Sequence, residues 1–163
     1  FRIAARKSVD IGCVRLTEKY LHHTPPTAEE IDALLTHIDD ALALYPDFDP
    51  GGTKVVGVAG TVTTLAAVEM GLREYDGAAI SGFRLEREMI QQRFEQFRQL
   101  SREQLQDAMH IDPGRADIIL VGVGILKRLT ERRDIPAITV SERGLRYGIA
   151  LREWERHMEH PAR

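Results

Sequence analysis

The sequence predicts an α/β fold, and three observations carry that expectation. Two short runs rich in β-branched residues, Lys54 to Val58 and Ala137 to Ser141, are too brief for buried helices and read as strands. Each leads through a glycine-bearing turn into an amphipathic stretch. Long segments with apolar residues at helical spacing separate the two, and strands alternating with long helices build layered α/β domains.

The elements follow in chain order. Arg2 to Gly12 holds Ile3, Val9 and Ile11 and closes on glycine, which predicts a strand, and Val14, Leu16 and Tyr20 then mark a short helix. Pro25 and Pro26 block its continuation. Thr27 with Glu30 three residues later is a capping-box pattern for a helix starting near Ala28. Ile31, Leu34, Leu35, Ile38, Leu42 and Tyr45 give that helix one apolar face, and Pro46 ends it. Asp47 to Thr53 reads as a turn. The strand at Lys54 to Val58 runs into Gly57-Val58-Ala59-Gly60-Thr61, where Thr61 is expected to cap a helix that buries Leu65, Ala66 and Val68 and stops at Gly71.

Ala79 to Leu85 reads as a short strand or extended linker, and Met89, Ile90, Phe94 and Phe97 mark a helix from Glu86 to Leu100. Ser101 with Gln104 is a second capping box, opening a shorter helix through Leu105 and Met109. Pro113-Gly114 precedes a long helix from about Arg115 to Arg133 with Ile118, Ile119, Gly122, Ile125, Leu126 and Leu129 in a broad apolar stripe. Gly122 and Gly124 each cost roughly 1 kcal/mol there relative to alanine, which close backbone packing would offset. After the strand at Ala137 to Ser141, Glu142 to Gly144 is a tight turn. A last helix carries Leu145, Ile149 and Trp154, with a frayed tail from His157.

Composition narrows the functional classes. The 163 residues suit one domain, and 43% hydrophobic residues supply a core without disulfides or a structural metal. With 22 Lys plus Arg against 25 Asp plus Glu, the net charge of −3 gives no global attraction to nucleic acid or acidic membrane. Any anion must be bound locally. The longest apolar run, Ile118 to Leu126, is about half of the ~20 residues that a membrane-spanning helix needs. One cysteine, Cys13, forms no internal disulfide, which fits a cytoplasmic location. The chain starts at Phe1, and its first residues read like an internal strand, so a fragment is expected.

The sharpest chemical signal is the turn Gly57-Val58-Ala59-Gly60-Thr61 between strand and helix. Glycine lets a phosphate approach the backbone, the first helical N–H groups lack internal partners, and the helix dipole adds partial positive charge. A plain tight connection uses the same residues, and the pattern is neither a P-loop nor a dinucleotide fingerprint. Ser141-Glu142-Arg143-Gly144-Leu145-Arg146 is a second turn of this kind. If the two strands are parallel neighbours, both turns open at the carboxyl edge of the sheet, where α/β proteins place ligands. Arg143 and Arg146 then add fixed positive charge, or they are solvated surface arginines. His157 and His160 lack a third metal ligand. Asp47-Phe48-Asp49 fails as a calcium loop because Gly51 and Val58 stand at ligand positions. Cys13 reads as a structural thiol.

Four stretches together resemble one family: Ser8-Val9-Asp10-Ile11-Gly12-Cys13-Val14-Arg15-Leu16-Thr17-Glu18, Gly57 through Ala67, Gly114-Arg115-Ala116-Asp117-Ile118-Ile119, and Ser141 through Gly148. In this order they are similar to the exopolyphosphatase and guanosine pentaphosphate phosphohydrolase (Ppx/GppA phosphatase) family. The resemblance implies the actin, Hsp70 and sugar-kinase fold, two ribonuclease H-like domains with the active site between them. Residues 1–163 would be the C-terminal, second ribonuclease H-like domain, a mixed sheet with flanking helices, truncated at its N-terminus and lacking the first domain.

The resemblance further implies a hydrolase that releases terminal phosphate from inorganic polyphosphate or guanosine pentaphosphate with Mg²⁺, whose ligands lie outside this chain. The family's first domain carries a phosphate loop and the glutamate thought to activate water, and an Asp-Ile-Gly-Gly-Gly-Ser-like loop opens the second. Neither stands here, since Asp10-Ile11-Gly12 is followed by Cys13-Val14-Arg15. No catalytic residue or metal ligand is therefore assigned in the chain. The expected phosphate-binding residues are Gly57, Ala59, Gly60, Thr61, Ser141, Gly144 and Arg146. Expected partners are the substrate anion, the missing first domain and, through an exposed sheet edge, a second copy as a homodimer; no nucleic acid and no membrane. The alternative is a non-catalytic anion- or nucleotide-binding module, or a structural half-domain.

Overall fold

The structure, a computed structural model, describes residues 3, 6–44, 53–110 and 112–159. Its helices and strands run α1 (Cys13–Tyr20), α2 (Ala28–Ala43), β1 (Val56–Val58), α3 (Gly60–Glu69), α4 (Gly77–Ile80), β2 (Arg84–Glu86), α5 (Arg87–Phe97), α6 (Arg102–Ala108), a 3-10 turn (Pro113–Arg115), α7 (Ala116–Arg132), β3 (Ala137–Ser141) and α8 (Leu145–Glu159). The three strands form one mixed sheet in the order β1-β3-β2, with β3 parallel to β1 and antiparallel to β2. Along β3, Ile138 and Val140 turn inward while their neighbours are half-buried, the period-2 alternation of a strand covered on one face. Val56 and Val58 of β1 are exposed, and β1 has no strand on its outer side among the described residues.

Helix α7 is the central spar. Ile119, Leu120 and Val123 join the main core with Leu65, Leu85, Phe94 and Phe97, while Val121 on its other side joins Leu16, Leu34, Ile38 and Leu42 in a second cluster. Each fully buried aliphatic or aromatic side chain contributes about 1.5–3 kcal/mol, so a helix serving two clusters must be apolar nearly all round. That explains the Ile118 to Leu126 run. The two glycines of α7 make the close approaches possible: a Cβ at Gly122 would lie 2.7 Å from Cγ2 and Oγ1 of Thr61, and one at Gly124 would lie 3.1 Å from the Phe94 ring.

Helix starts obey local rules where a side chain can cap. Thr27 and Ser101 both form full capping boxes, with Glu30 and Gln104 reaching back to the cap backbone. Helix α2 stops at Ala43, and the Tyr45, Pro46 and Asp47-Phe48-Asp49 readings lie outside the described residues. Gly71, at φ +62°, follows α3 in the left-handed conformation that glycine adopts freely.

Four expectations need correction. The described part of the expected first strand, Arg6 to Asp10, pairs with no strand, and without a partner's ladder an extended segment is not a strand. Ala79 to Leu85 is not extended throughout: Asp76 accepts from the Ala79 N–H at 3.0 Å and opens the short helix α4, which buries Ile80, before β2 begins at Arg84. Thr61 does not cap α3; the cap position is Ala59, and no side chain bonds there. The chain is not frayed from His157 onward, for α8 runs on to Glu159, and Leu145, Ile149 and Trp154 are all exposed on it.

Gly122→Val should therefore lower stability by roughly 1–3 kcal/mol in denaturant unfolding through overpacking against Thr61. Gly144→Ala, where nothing lies within 4 Å of an added Cβ, should stay within about 0.5 kcal/mol of the parent. A second expectation concerns acid. Burial disfavours the Glu30 charge, but hydrogen bonds from His23 and from the Thr27 and His22 amides prevail and lower its pKa from 4.5 to about 2. A folded-state pKa below the unfolded one stabilises at higher pH, and that contribution is lost as pH falls from 4.5 toward 2. Urea midpoints of Glu30→Gln should be flatter than those of the parent across this window.

Candidate functional site

The parallel pairing of β1 with β3 sets the geometry. Val58 and Ser141 are partners in the ladder, so the two strands end side by side and both glycine-bearing turns leave from the same edge. The first turn is sharp because Ala59 takes φ +74° and ψ −178°, a conformation that costs a residue with a Cβ about 1–3 kcal/mol. Helix α3 starts immediately afterwards, and its first N–H groups have neither intrahelical acceptors nor a capping side chain. The Thr63 hydroxyl steadies the turn by donating to the carbonyls of Ala59 and Gly60, at 3.3 and 3.2 Å.

A pocket of about 330 Å³ opens over these ends. Ala59, Gly60 and Thr63 line it from the first turn, and Glu142 and Arg146 from the second. Asp112 and Arg115 enter from the segment before α7, and Tyr75 from the loop before α4. Arg115 lies so close to the first turn that a Cβ at Gly60 would overlap its guanidinium. Its Nε is held by the Asp112 carboxylate. Arg146 has no carboxylate partner among the described residues. A cation facing the positive end of a helix is electrostatically unfavourable, and the Asp112 carboxylate offsets part of the positive potential that Arg115 and the α3 N-terminus place together. Along α3 the pocket adjoins a second depression, which shares Thr64, Ala67 and Asp112 with it and carries Arg73, Arg93 and His110.

Of the residues expected from sequence, the pocket brings together Ala59, Gly60 and Arg146. Gly57 does not line it; an added Cβ there would meet Ile138 and Val62, at 2.7 and 2.9 Å, so this glycine serves sheet-to-helix packing. Thr61 points into the body, with its Oγ1 3.8 Å from Cys13 Sγ and its side chain against Gly122. The Ser141 hydroxyl accepts from the Arg143 N–H at 3.2 Å, holding the second turn. Gly144 precedes α8, its carbonyl accepting from the Tyr147 and Gly148 N–H groups. Arg143 stacks over the Tyr147 ring at 5.0 Å rather than lining the pocket. The main omission is Arg115, which stands in one of the four family-like stretches and is carried over Gly60 by the Pro113 turn. Tyr75 gives no signal, because its loop has no periodic pattern.

Metal fit is negative within the described residues. No cluster of three or more His, Cys, Asp or Glu side chains could hold a cation, and of the two pocket carboxylates Asp112 is engaged by Arg115.

The mixed sheet with flanking helices is the ribonuclease H-like α/β architecture of the actin, Hsp70 and sugar-kinase class, with an arginine-lined pocket at its strand ends. Comparison with known proteins resolves the class further. The chain belongs to the Ppx/GppA phosphatase family, whose family model matches residues 1–157. Exopolyphosphatase 2 of Mycobacterium tuberculosis is 36% identical over 157 residues, covering 91% of this chain and 49% of that protein. The bifunctional 3-dehydroquinate synthase/phosphatase of Fusobacterium nucleatum is 29% identical over 152 residues, covering 91% of this chain and 23% of that protein. The Ppx/GppA enzyme of Aquifex aeolicus superposes with a TM-score of 0.84 at 30% identity, covering 93% of this chain and 50% of that one. This chain thus spans about half the length of the mycobacterial and Aquifex relatives.

Gly60→Ala tests the pocket without the core. The atoms nearest the added methyl belong to the movable end of Arg115, so the melting temperature should hold while affinity for pyrophosphate, measured calorimetrically, falls roughly tenfold, about 1.4 kcal/mol. Unchanged affinity would remove Gly60 and Arg115 from the site.

Proposed function

We propose that the chain is the second domain of a phosphoanhydride hydrolase acting on inorganic polyphosphate or guanosine pentaphosphate, and that it forms one wall of the catalytic cleft. The observation that carries this reading is the convergence of Arg115, Arg146 and the uncapped α3 N-terminus on one pocket. Cleaving a terminal phosphoanhydride requires a positioned water, a base to orient or deprotonate it, and cations or N–H donors for charge on the transferring phosphoryl group. This wall supplies the cations and the donors. Membership of a phosphatase family, with an exopolyphosphatase at 36% identity, supports the reaction class. The water-activating carboxylate and the ligands of Mg²⁺ are assigned to the other half of the relatives' length. Among the described residues no helix is long and apolar enough to cross a membrane.

The rival reading is an anion-binding module without turnover. It draws on the two pocket carboxylates, since Asp112 is held by Arg115 and Glu142 lies 3.9 Å from Arg143, which leaves neither as an unencumbered base.

A phosphate-release assay separates the two parts of the proposal. With polyphosphate and Mg²⁺, the 163-residue chain alone should release little or no phosphate yet bind tripolyphosphate. The double variant Arg115→Ala/Arg146→Ala should bind it at least about tenfold more weakly, each lost charge-assisted contact being worth roughly 1.5–3 kcal/mol. Turnover by the isolated chain at the rate of an intact two-domain enzyme would overturn the division of labour. Unaltered binding by the double variant would overturn the site.

A further inference from the structure

Arg115 reaches the pocket through a series of short contacts that starts at the end of α6. The Asp112 N–H donates to the Met109 carbonyl at 3.1 Å, which ties Asp112 to the residue that follows α6. The Arg115 N–H donates to the Asp112 carbonyl at 3.0 Å and closes the 3-10 turn Pro113–Arg115. Residues three apart eclipse one another in such a turn, so the two side chains leave it on the same side. There the Asp112 carboxylate accepts from Arg115 Nε. Neither Nη group of Arg115 makes a hydrogen bond among the described residues, and both lie against Gly60, where a Cβ would overlap the guanidinium.

We propose that Asp112 is a positioning residue of the anion pocket: it grips the Arg115 fork by Nε so that both Nη groups are aimed at the N-terminus of α3 whether or not an anion is bound. The inference rests on the reading of this pocket as an anion site and adds the residue that aims one of its cations.

Several observations set this role apart from a structural one. The pair is half-exposed, with side chains 38% accessible for Arg115 and 42% for Asp112, and an ion pair so open to water adds little to stability. The carboxylate also caps no N–H of the 3-10 turn, which is closed by backbone groups alone, so the Asp112 side chain is spare for the guanidinium. Of the guanidinium donors only the one on Nε is spent, and those on both Nη groups remain for a ligand.

Electrostatics sharpens the point. A carboxylate in the wall of an anion site repels the anion, and repulsion alone would make Asp112 a handicap to binding. Holding a long side chain that would otherwise swing freely works the other way, because stilling such a side chain during binding costs roughly two- to tenfold in affinity. Glu142, the other acidic residue of the pocket wall, is 3.9 Å from Arg143, so among the described residues it does not compete for Arg115.

The test uses two variants that share one electrostatic change. Asp112→Asn and Asp112→Ala both remove the charge, but only the asparagine carbonyl can still accept from Arg115 Nε. Comparing them cancels the repulsion and isolates the grip. With the 163-residue chain and tripolyphosphate, measured calorimetrically at one ionic strength, Asp112→Asn should bind at least about threefold more tightly than Asp112→Ala. In an Arg115→Ala background the ratio should fall to one, since no guanidinium is left to hold. The Arg115 Nε–H resonance should be visible by NMR in the parent and in Asp112→Asn and be lost to water exchange in Asp112→Ala, while the melting temperatures stay close together. Equal affinities for the two variants, a ratio that survives Arg115→Ala, or an equally sharp resonance in Asp112→Ala would overturn the proposal. A parent chain that binds no tripolyphosphate would overturn the pocket and this role together. Binding that depends on Arg115 and Arg146, but is the same in Asp112→Asn and Asp112→Ala, would overturn this role alone.

Discussion

The parallel ladder between β1 and β3 is the constraint on which the site depends. Because Val58 stands opposite Ser141, two turns separated by more than eighty residues of sequence emerge together. A one-residue slip would turn Ile138 and Val140 away from the core, so the apolar packing that stabilises the sheet also fixes where the pocket opens. Helix α7 enforces the same register from below. Thr61 seats against Gly122, which fixes the start of α3 along its axis, and the residues that enter α7 deliver Arg115 to that same end. Stability and site geometry are here consequences of one set of contacts.

Much of the fold is legible in the sequence where a local rule and a tertiary role agree. The strand at Ala137 to Ser141 is read with its observed limits because β-branched residues fill a pleated, half-buried ladder. The starts of α2 and α6 are legible because threonine or serine, followed three residues on by glutamate or glutamine, satisfies amides by itself. Prediction fails where the decisive partner is distant or the segment is too short for a period. Helix α4 has four residues, fewer than any helical repeat needs. Arg6 to Asp10 has strand-like composition but no neighbour to pair with among the described residues. Trp154 and Leu151 look like core residues by type, and only the packing reveals them as surface.

The pocket divides along the same line. Gly60 and Arg146 are visible because they stand in turns whose chemistry suggests an anion, and Ala59 joins them by adjacency. Thr61 is a cap by residue type, yet the chain bends two residues earlier and its hydroxyl goes to the core side, toward Cys13. Arg115 escapes notice since no spacing rule links it to Gly60, fifty-five positions away; only the folded path of α7 does. Family membership and local chemistry therefore name the turns, while the placement of Arg115 over Gly60 emerges only from three-dimensional proximity.

The bend at Ala59 has a further consequence. A residue with a side chain held at φ +74° is kept there by its surroundings against its own torsional preference, with a hydroxyl from Thr63 clamped across the corner. Donor groups fixed in this manner do not need to be ordered when a ligand arrives, so the entropic penalty of assembling the cradle is met once, during folding, rather than at each encounter. On the proposed reading, in which this turn receives a multiply charged guest, its donors are preorganised and its rigidity is part of the recognition chemistry.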